Sequence, residues 1–144
     1  MSYEDLELNC DHLIHGDYLD HNVFFDKDHS VQSVFDFEKT NYSPRVYELF
    51  RSLLCSILSP EMTTVDLKNA KKYIDAYSSV YPLSEDEIKK GLQLFFTKGI
   101  HGTWVEGEYY LKNNPRVSCF LSDDYHRIKN FPNNFETLKK YLID

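Results

Sequence analysis

The chain has 144 residues, of which 42% are hydrophobic and 15% aromatic. This composition suffices to bury the core of one domain, so we expect residues 1–144 to form a single domain and exclude general disorder. The formal net charge of -7, without a run of basic residues, argues against nucleic acid or an anionic membrane surface as a partner. No apolar run approaches the roughly 20 residues that cross a bilayer, and no signal-like stretch opens the sequence, so a cytoplasmic location is expected.

The first region with a structural pattern, residues 13 to 37, is the only β-like part of the sequence. Val23 to Phe25 form a short apolar run, residues 26–30 are typical of a polar turn, and residues 31–37 begin with alternating apolar and polar side chains. Two short strands around a polar turn predict a β-hairpin.

The sequence after Ser43 is helical in pattern. Ser43 as the N-cap and Pro44 as the first helical residue predict a helix, because apolar side chains then recur at steps of three and four residues. Pro60 is expected to end this helix. A second helix is predicted from about Thr64 to Val80.

Three further segments complete the helical part. Ser84 and Glu87 have the spacing of a capping box and predict the start of a third helix. The residues from Trp104 to Leu111 are rich in aromatic side chains, which we expect to be core. Phe135 to Ile143 predict a short amphipathic helix. Cys10, Cys55 and Cys119 form no CxxC pair or disulfide framework, and we expect them to be buried free thiols.

The residues that carry chemistry lie in and after the run His15-Gly16-Asp17-Tyr18-Leu19-Asp20-His21-Asn22. Phosphoryl transfer requires a carboxylate near the attacking hydroxyl and oxygen ligands that hold Mg²⁺ on the phosphates. Asp17 lies on a loop, Asn22 precedes a predicted strand, and Asp36 follows the paired strand. A hairpin would bring these groups to one end, and carboxylate and amide oxygens are suitable ligands for Mg²⁺.

The run HGDYLDHN resembles the catalytic loop of the aminoglycoside phosphotransferase and choline kinase family, and Val34-Phe35-Asp36-Phe37-Glu38 resembles its metal-binding strand end. The resemblance implies that Asp17 is the catalytic base and that Asn22 and Asp36 bind Mg²⁺, with Glu38 as a further metal contact. It also implies that His15 braces the loop. Where the family usually has Asp in the next helix, this chain has Glu48, which keeps the charge but changes the local geometry.

The same resemblance implies an α+β, mostly helical fold that corresponds to the carboxy-terminal lobe of a protein-kinase-like protein. Residues 13–38 would form the catalytic loop and metal-binding hairpin, and residues 43–144 a helical subdomain. The implied activity is ATP-dependent and Mg²⁺-dependent phosphorylation of a hydroxyl on a small polar or cationic molecule.

Phosphotransferases of this kind also need a nucleotide-binding lobe, yet only 14 residues precede His15. The sequence therefore predicts a truncated chain that requires a second chain or self-association to cover its exposed surface. Two alternatives remain open: a pseudoenzyme or interaction module that retains the kinase scaffold, and a fragment of an ordinary kinase.

Zinc binding is a rival interpretation of the same stretch. The candidate ligands are His12, His15 and His21, with Asp11, Asp17 and Asp20 close by in sequence. Their spacing matches no common zinc arrangement, so phosphotransfer is the preferred hypothesis.

Overall fold

The structure is a computed structural model that describes residues 3–59 and 61–143, apart from the side chain of Phe131. Its strands form two separate antiparallel pairs. β1 (His12–Ile14) pairs with β4 (Asn41–Ser43), and β2 (Val23–Phe25) pairs with β3 (Val31–Val34).

The predicted hairpin is formed by β2 and β3, with Val23 opposite Val34 and an irregularity between Phe24 and Phe25. Its turn is stabilised by Asp26, whose carboxylate accepts hydrogen bonds from the backbone N–H groups of Asp28 and Ser30 at 2.8 and 2.9 Å. The second strand ends at Val34, three residues earlier than the sequence predicted.

The β1–β4 pair was not predicted. His12 lies opposite Ser43 and Ile14 opposite Asn41, so the pair joins segments on either side of the hairpin. Each strand has only three residues, which is too short for alternation to be visible in the sequence. The pair brings the start of the loop that contains Asp17 next to the start of the first helix.

The first helix, α1 (Arg45–Ser52), continues as one π-helical turn over Leu53–Ile57. The prediction that Ser43 caps it is wrong: Pro44 is the N-cap, and Ser43 belongs to β4, where its buried hydroxyl donates a hydrogen bond to Tyr3 Oη at 3.2 Å. Pro60, the predicted end, lies outside the described residues.

Helices α2 (Thr64–Val80) and α3 (Glu85–His101) have the predicted positions. Ser84 and Glu87 form the predicted capping box of α3. A second capping box, which the sequence analysis did not identify, begins α2: Thr63 accepts from the Asp66 N–H, and Asp66 accepts in return from the Thr63 N–H at 2.8 Å.

The carboxy-terminal part differs most from expectation. α4 (Trp104–Glu106) is followed by a π-helical turn over Gly107–Leu111, and α5 extends over Ser118–Ile143, far longer than the predicted last helix. The aromatic segment is not core, since Trp104 and Tyr110 are 62% and 67% exposed. These side chains lie at the surface because the segment packs through Val105, which is buried.

The hydrophobic core lies between α1, α2, α3 and α5. Its most deeply buried side chains are Val46, Phe50, Leu53, Ala70, Leu92 and Leu138. The three cysteines are all exposed, so the expectation of buried thiols is wrong. Among the described residues, no helix is long and apolar enough to cross a membrane. The fold is α+β and mostly helical, as predicted, and is consistent with a kinase-like carboxy-terminal lobe.

Candidate active site

The loop between β1 and β2 makes a tight approach to the segment after β3 at Gly16. Gly16 has a φ of +84°, a backbone conformation that favours glycine. A Cβ atom at this position would lie 2.2 Å from the backbone oxygen of Lys39. A side chain is therefore excluded here by both conformation and space, and the close approach places Lys39 beside the residue that follows Gly16.

Glu48 on α1 fixes the start of the same loop. Its two carboxylate oxygens accept the backbone N–H groups of His15 and Gly16 at 3.1 and 2.6 Å. A carboxylate at this point satisfies two donors at once, and hydrogen bonds to a charged acceptor are stronger than neutral ones. Glu48 therefore attaches the loop directly to α1.

His15 fixes the loop from its other side. Its imidazole Nδ1 accepts the backbone N–H of Asp17 at 3.3 Å, and its Nε2 lies 2.9 Å from the backbone oxygen of Phe35. These partners require the tautomer with hydrogen on Nε2. The ring is buried and lies 4.6 Å from the ring of Phe37, measured between centroids. Such contacts are those of a bracing residue that joins the loop to the end of β3.

Asp17 is buried, with 6% of its surface exposed, and both of its carboxylate oxygens have cationic partners. Lys39 Nζ donates to Oδ2 at 2.7 Å, and Arg51 Nη2 donates to Oδ1. Burial opposes ionisation of the carboxyl, but the ion pairs with Lys39 and Arg51 outweigh it and lower the pKa of Asp17 below its ordinary value. The carboxylate is thus ionised at neutral pH, with a protein cation on each of its two oxygens.

Asn22 and Asp36, the two predicted metal ligands, have different surroundings. Asn22 is buried, and its Nδ2 donates to the backbone oxygen of Asp17 at 2.9 Å, which leaves its Oδ1 without a donor among the described residues. Its backbone oxygen accepts the N–H of Phe35 at 3.1 Å, so Asp36 follows directly on a residue bound to Asn22. Asp36 is exposed and has a left-handed φ of 67°.

Glu38, the further predicted metal contact, lies exposed on the short 3₁₀ turn Phe37–Lys39. Within the described part of the chain, no group of three or more His, Cys, Asp or Glu side chains is arranged to hold a metal ion. The structure therefore brings Asp17 and Asn22 into direct contact and connects Asp36 to Asn22 through the backbone of Phe35. Asp17, Asp36 and Glu38, the three predicted acids, are not arranged as one metal-binding group. The histidines and acids proposed as zinc ligands likewise form no such group.

Lys39 and Arg51 are the two cationic partners of Asp17 that the sequence analysis missed. Arg51 lies one turn after Glu48 on α1, and residues three apart share a face of a helix. Two polar side chains on the half-buried face of an amphipathic helix are the signal that would have identified Glu48 and Arg51 together. Lys39 has no such local signal, because only the fold brings it to Asp17.

A comparison with family models matches the part of the chain that contains this loop. A model of the phosphotransferase enzyme family matches residues 10–83, just over half of the chain, from β1 through α2. Searches of curated proteins and of solved structures found no match. The matched stretch includes the loop, both strand pairs and the helix that carries Glu48 and Arg51. The chain therefore belongs to the phosphotransferase enzyme family.

Proposed function

We propose that this chain carries the catalytic base and the metal-binding side chains of an ATP-dependent phosphotransferase that acts on a hydroxyl of a small polar molecule. The observation that carries the proposal is Asp17, a buried and ionised carboxylate on a loop held by His15 and Glu48. The family match supports the reaction class, and ATP, Mg²⁺ and the acceptor are part of the proposal.

In this reaction the carboxylate of Asp17 accepts the proton of the attacking hydroxyl. A general base must lie within hydrogen-bonding distance of that proton, roughly 2.6–3.2 Å between heavy atoms. One of the two cations must therefore give up an oxygen of Asp17. Lys39 is the more readily displaced of the two, since its side chain is 54% exposed and that of Arg51 is 27% exposed.

The donor groups near Asp17 fit Mg²⁺. The ion prefers hard oxygen ligands and commonly binds one or two carboxylates together with substrate phosphates. Asn22 offers an amide oxygen without a donor among the described residues, and Asp36 and Glu38 offer exposed carboxylates. Asn22 and Asp36 would hold the ion, with Glu38 as a further contact, and its charge would neutralise the phosphates.

A calorimetric titration of the chain with ATP, with and without Mg²⁺, tests the nucleotide part of this proposal. We expect binding that requires Mg²⁺ and weakens in Asp36→Ala, whereas Asp28→Ala, which removes an exposed carboxylate from the hairpin turn, should leave it unchanged. Affinity that is equal with and without Mg²⁺ would contradict the roles of Asn22 and Asp36. Asp17→Asn should abolish phosphotransfer while it retains Mg²⁺-dependent binding, and unchanged turnover would refute the base assignment.

A second candidate function is an interaction module without catalysis, which a surface of the hairpin favours. Phe24, Phe25 and Val31 of the hairpin are each more than half exposed, and Phe25 lies opposite Val31. Contiguous exposed apolar side chains mark contact sites for other chains. Self-association that weakens in Phe25→Ser, together with no Mg²⁺-dependent ATP binding, would favour this function over phosphotransfer.

A further inference from the structure

A cavity of about 210 Å³ is lined in part by Arg51, and no residue of the loop that contains Asp17 lines it. Its walls come from α1 and the π-helical turn after it, the end of α3, α4 and the middle of α5. The cavity is smaller than the roughly 300–1,000 Å³ of sites for drug-sized ligands, so it admits only a small molecule. Much of its lining is apolar or aromatic, with Phe95, Phe96 and Trp104 among the side chains.

The charged side chains of this cavity are mainly cationic. Arg51, Lys98 and Arg127 contribute to its walls, and Asp124 is the one carboxylate among the lining residues that the structure describes. Burial raises the pKa of Asp124, although Arg127 opposes this effect. Arg51 is paired with Asp17 and Arg127 Nη1 lies 3.7 Å from Asp124 Oδ1, so the charge of these two side chains is largely balanced and that of Lys98 is not.

Lys98 has no carboxylate partner among the described residues. Its Nζ donates to Tyr3 Oη at 2.6 Å and lies 4.4 and 4.2 Å from the ring centroids of Tyr3 and Tyr47. These contacts position the ammonium group at the cavity without neutralising its charge. The group can therefore pair with an anion that enters.

Arg51 connects the cavity to the proposed base. The guanidinium lines the cavity and also donates to Asp17. Its Nε is buried and has no hydrogen-bond partner among the described residues, so the protein does not saturate its donors. A molecule in the cavity would lie one side chain away from Asp17.

We infer that this cavity binds a small carboxylate with an apolar or aromatic body, whose carboxylate pairs with Lys98. The inference assigns a ligand site beside Arg51 and stands apart from the proposed function. A cationic ligand would be repelled by Lys98, whose charge no described carboxylate balances.

Trp104, the only tryptophan of the chain, makes the inference testable because it lines the cavity. Its fluorescence can be titrated, without ATP or Mg²⁺, with three hydroxyl-bearing probes of similar shape: 3-phenyllactate, its neutral amide and the cationic phenylalaninol. We expect 3-phenyllactate to bind at least about tenfold more tightly than phenylalaninol, with the amide in between. Equal affinities, tighter binding of phenylalaninol, or no response to 3-phenyllactate at millimolar concentrations would overturn the inference.

Two variants locate the charge effect. Lys98→Met should weaken the binding of 3-phenyllactate about three- to fivefold, the effect expected for the loss of an exposed ion pair. It should not weaken the binding of phenylalaninol. Lys68→Met, on the exposed face of α2, is the matched control and should change neither. Arg127→Gln should also reduce the preference for the anion, and an unchanged preference in both cavity variants would overturn the inference. Because the titration needs no nucleotide, its result is separate from that of the Mg²⁺-dependent ATP experiment.

Discussion

Replacing Glu48 with glutamine would leave one oxygen acceptor where the loop presents two backbone donors. The N–H groups of His15 and Gly16 lie 3.1 and 2.6 Å from the two carboxylate oxygens, and glutamine would turn an NH₂ group toward one of them. Hydrogen bonds to charged groups contribute about 1.5–3 kcal/mol each, and a buried donor without a partner costs about 1–3 kcal/mol. We therefore expect Glu48→Gln to lower the free energy of unfolding by about 2–3 kcal/mol.

Urea denaturation followed by circular dichroism measures this change. Glu61→Gln is the matched control, because Glu61 is exposed and its substitution should stay within about 0.5 kcal/mol of the parent chain. Glu48→Asp keeps the charge but shortens the side chain by one methylene group. Its decrease in unfolding free energy should therefore lie between those of Glu61→Gln and Glu48→Gln. If Glu48→Gln were no more destabilising than Glu61→Gln, the attachment of the loop to α1 through this carboxylate would be refuted.

Three further predictions concern the loop and the core. Gly16→Ala should lower the free energy of unfolding by more than about 3 kcal/mol in the same assay, because it combines a left-handed φ with a 2.2 Å clash against the Lys39 oxygen. A loss below about 1 kcal/mol would contradict that geometry. Because the pKa of Asp17 is lowered, its ionisation stabilises the fold above about pH 4, and this contribution disappears as the pH falls through the folded-state pKa. The difference in unfolding free energy between the parent chain and Asp17→Asn should therefore be constant near neutrality and shrink in acid. A difference that grows in acid would refute this reasoning. Gly91→Ala should lower the free energy of unfolding by about 1–2 kcal/mol, because its Cβ would lie 2.6 Å from a phenylalanine ring of α1. Gly99→Ala in the same helix is the control: its Cβ meets nothing within 4 Å, so it should be neutral or stabilising in thermal unfolding. Equal effects of the two substitutions would show that α1 and α3 do not approach this closely.

The features that the sequence predicted well depend on residues within a few positions of one another. The capping box of Ser84 and Glu87, the span Thr64–Val80 and the polar turn of the hairpin are each determined by local hydrogen bonds or by a repeat of three and four residues. Local signals of this kind are visible in a single sequence, so the helical character and the hairpin were predictable without the fold.

The features that the sequence could not predict depend on distant residues. The pairing of β1 with β4 and the ion pair between Asp17 and Lys39 join segments that only the tertiary structure brings together. The length of α5 was missed for a related reason: Pro132 disfavours a helix locally, yet helical backbone continues through it. Exposure is likewise a tertiary property, so the composition could not reveal that the cysteines and Trp104 lie at the surface.

Helix α1 connects the parts of the site that the sequence analysis treated separately. Glu48 holds the loop, Arg51 contacts Asp17 and lines the cavity, and Cys55 lines the same cavity from the π-helical turn that follows. Because a helix is a rigid element, these three contacts keep the proposed base and the cavity at a fixed separation. A substitution that shifts α1, such as one at its close contact with Gly91, should thus change the loop and the cavity together. A substitution at Asp36, which lies beyond β3, should affect only the proposed metal-binding side.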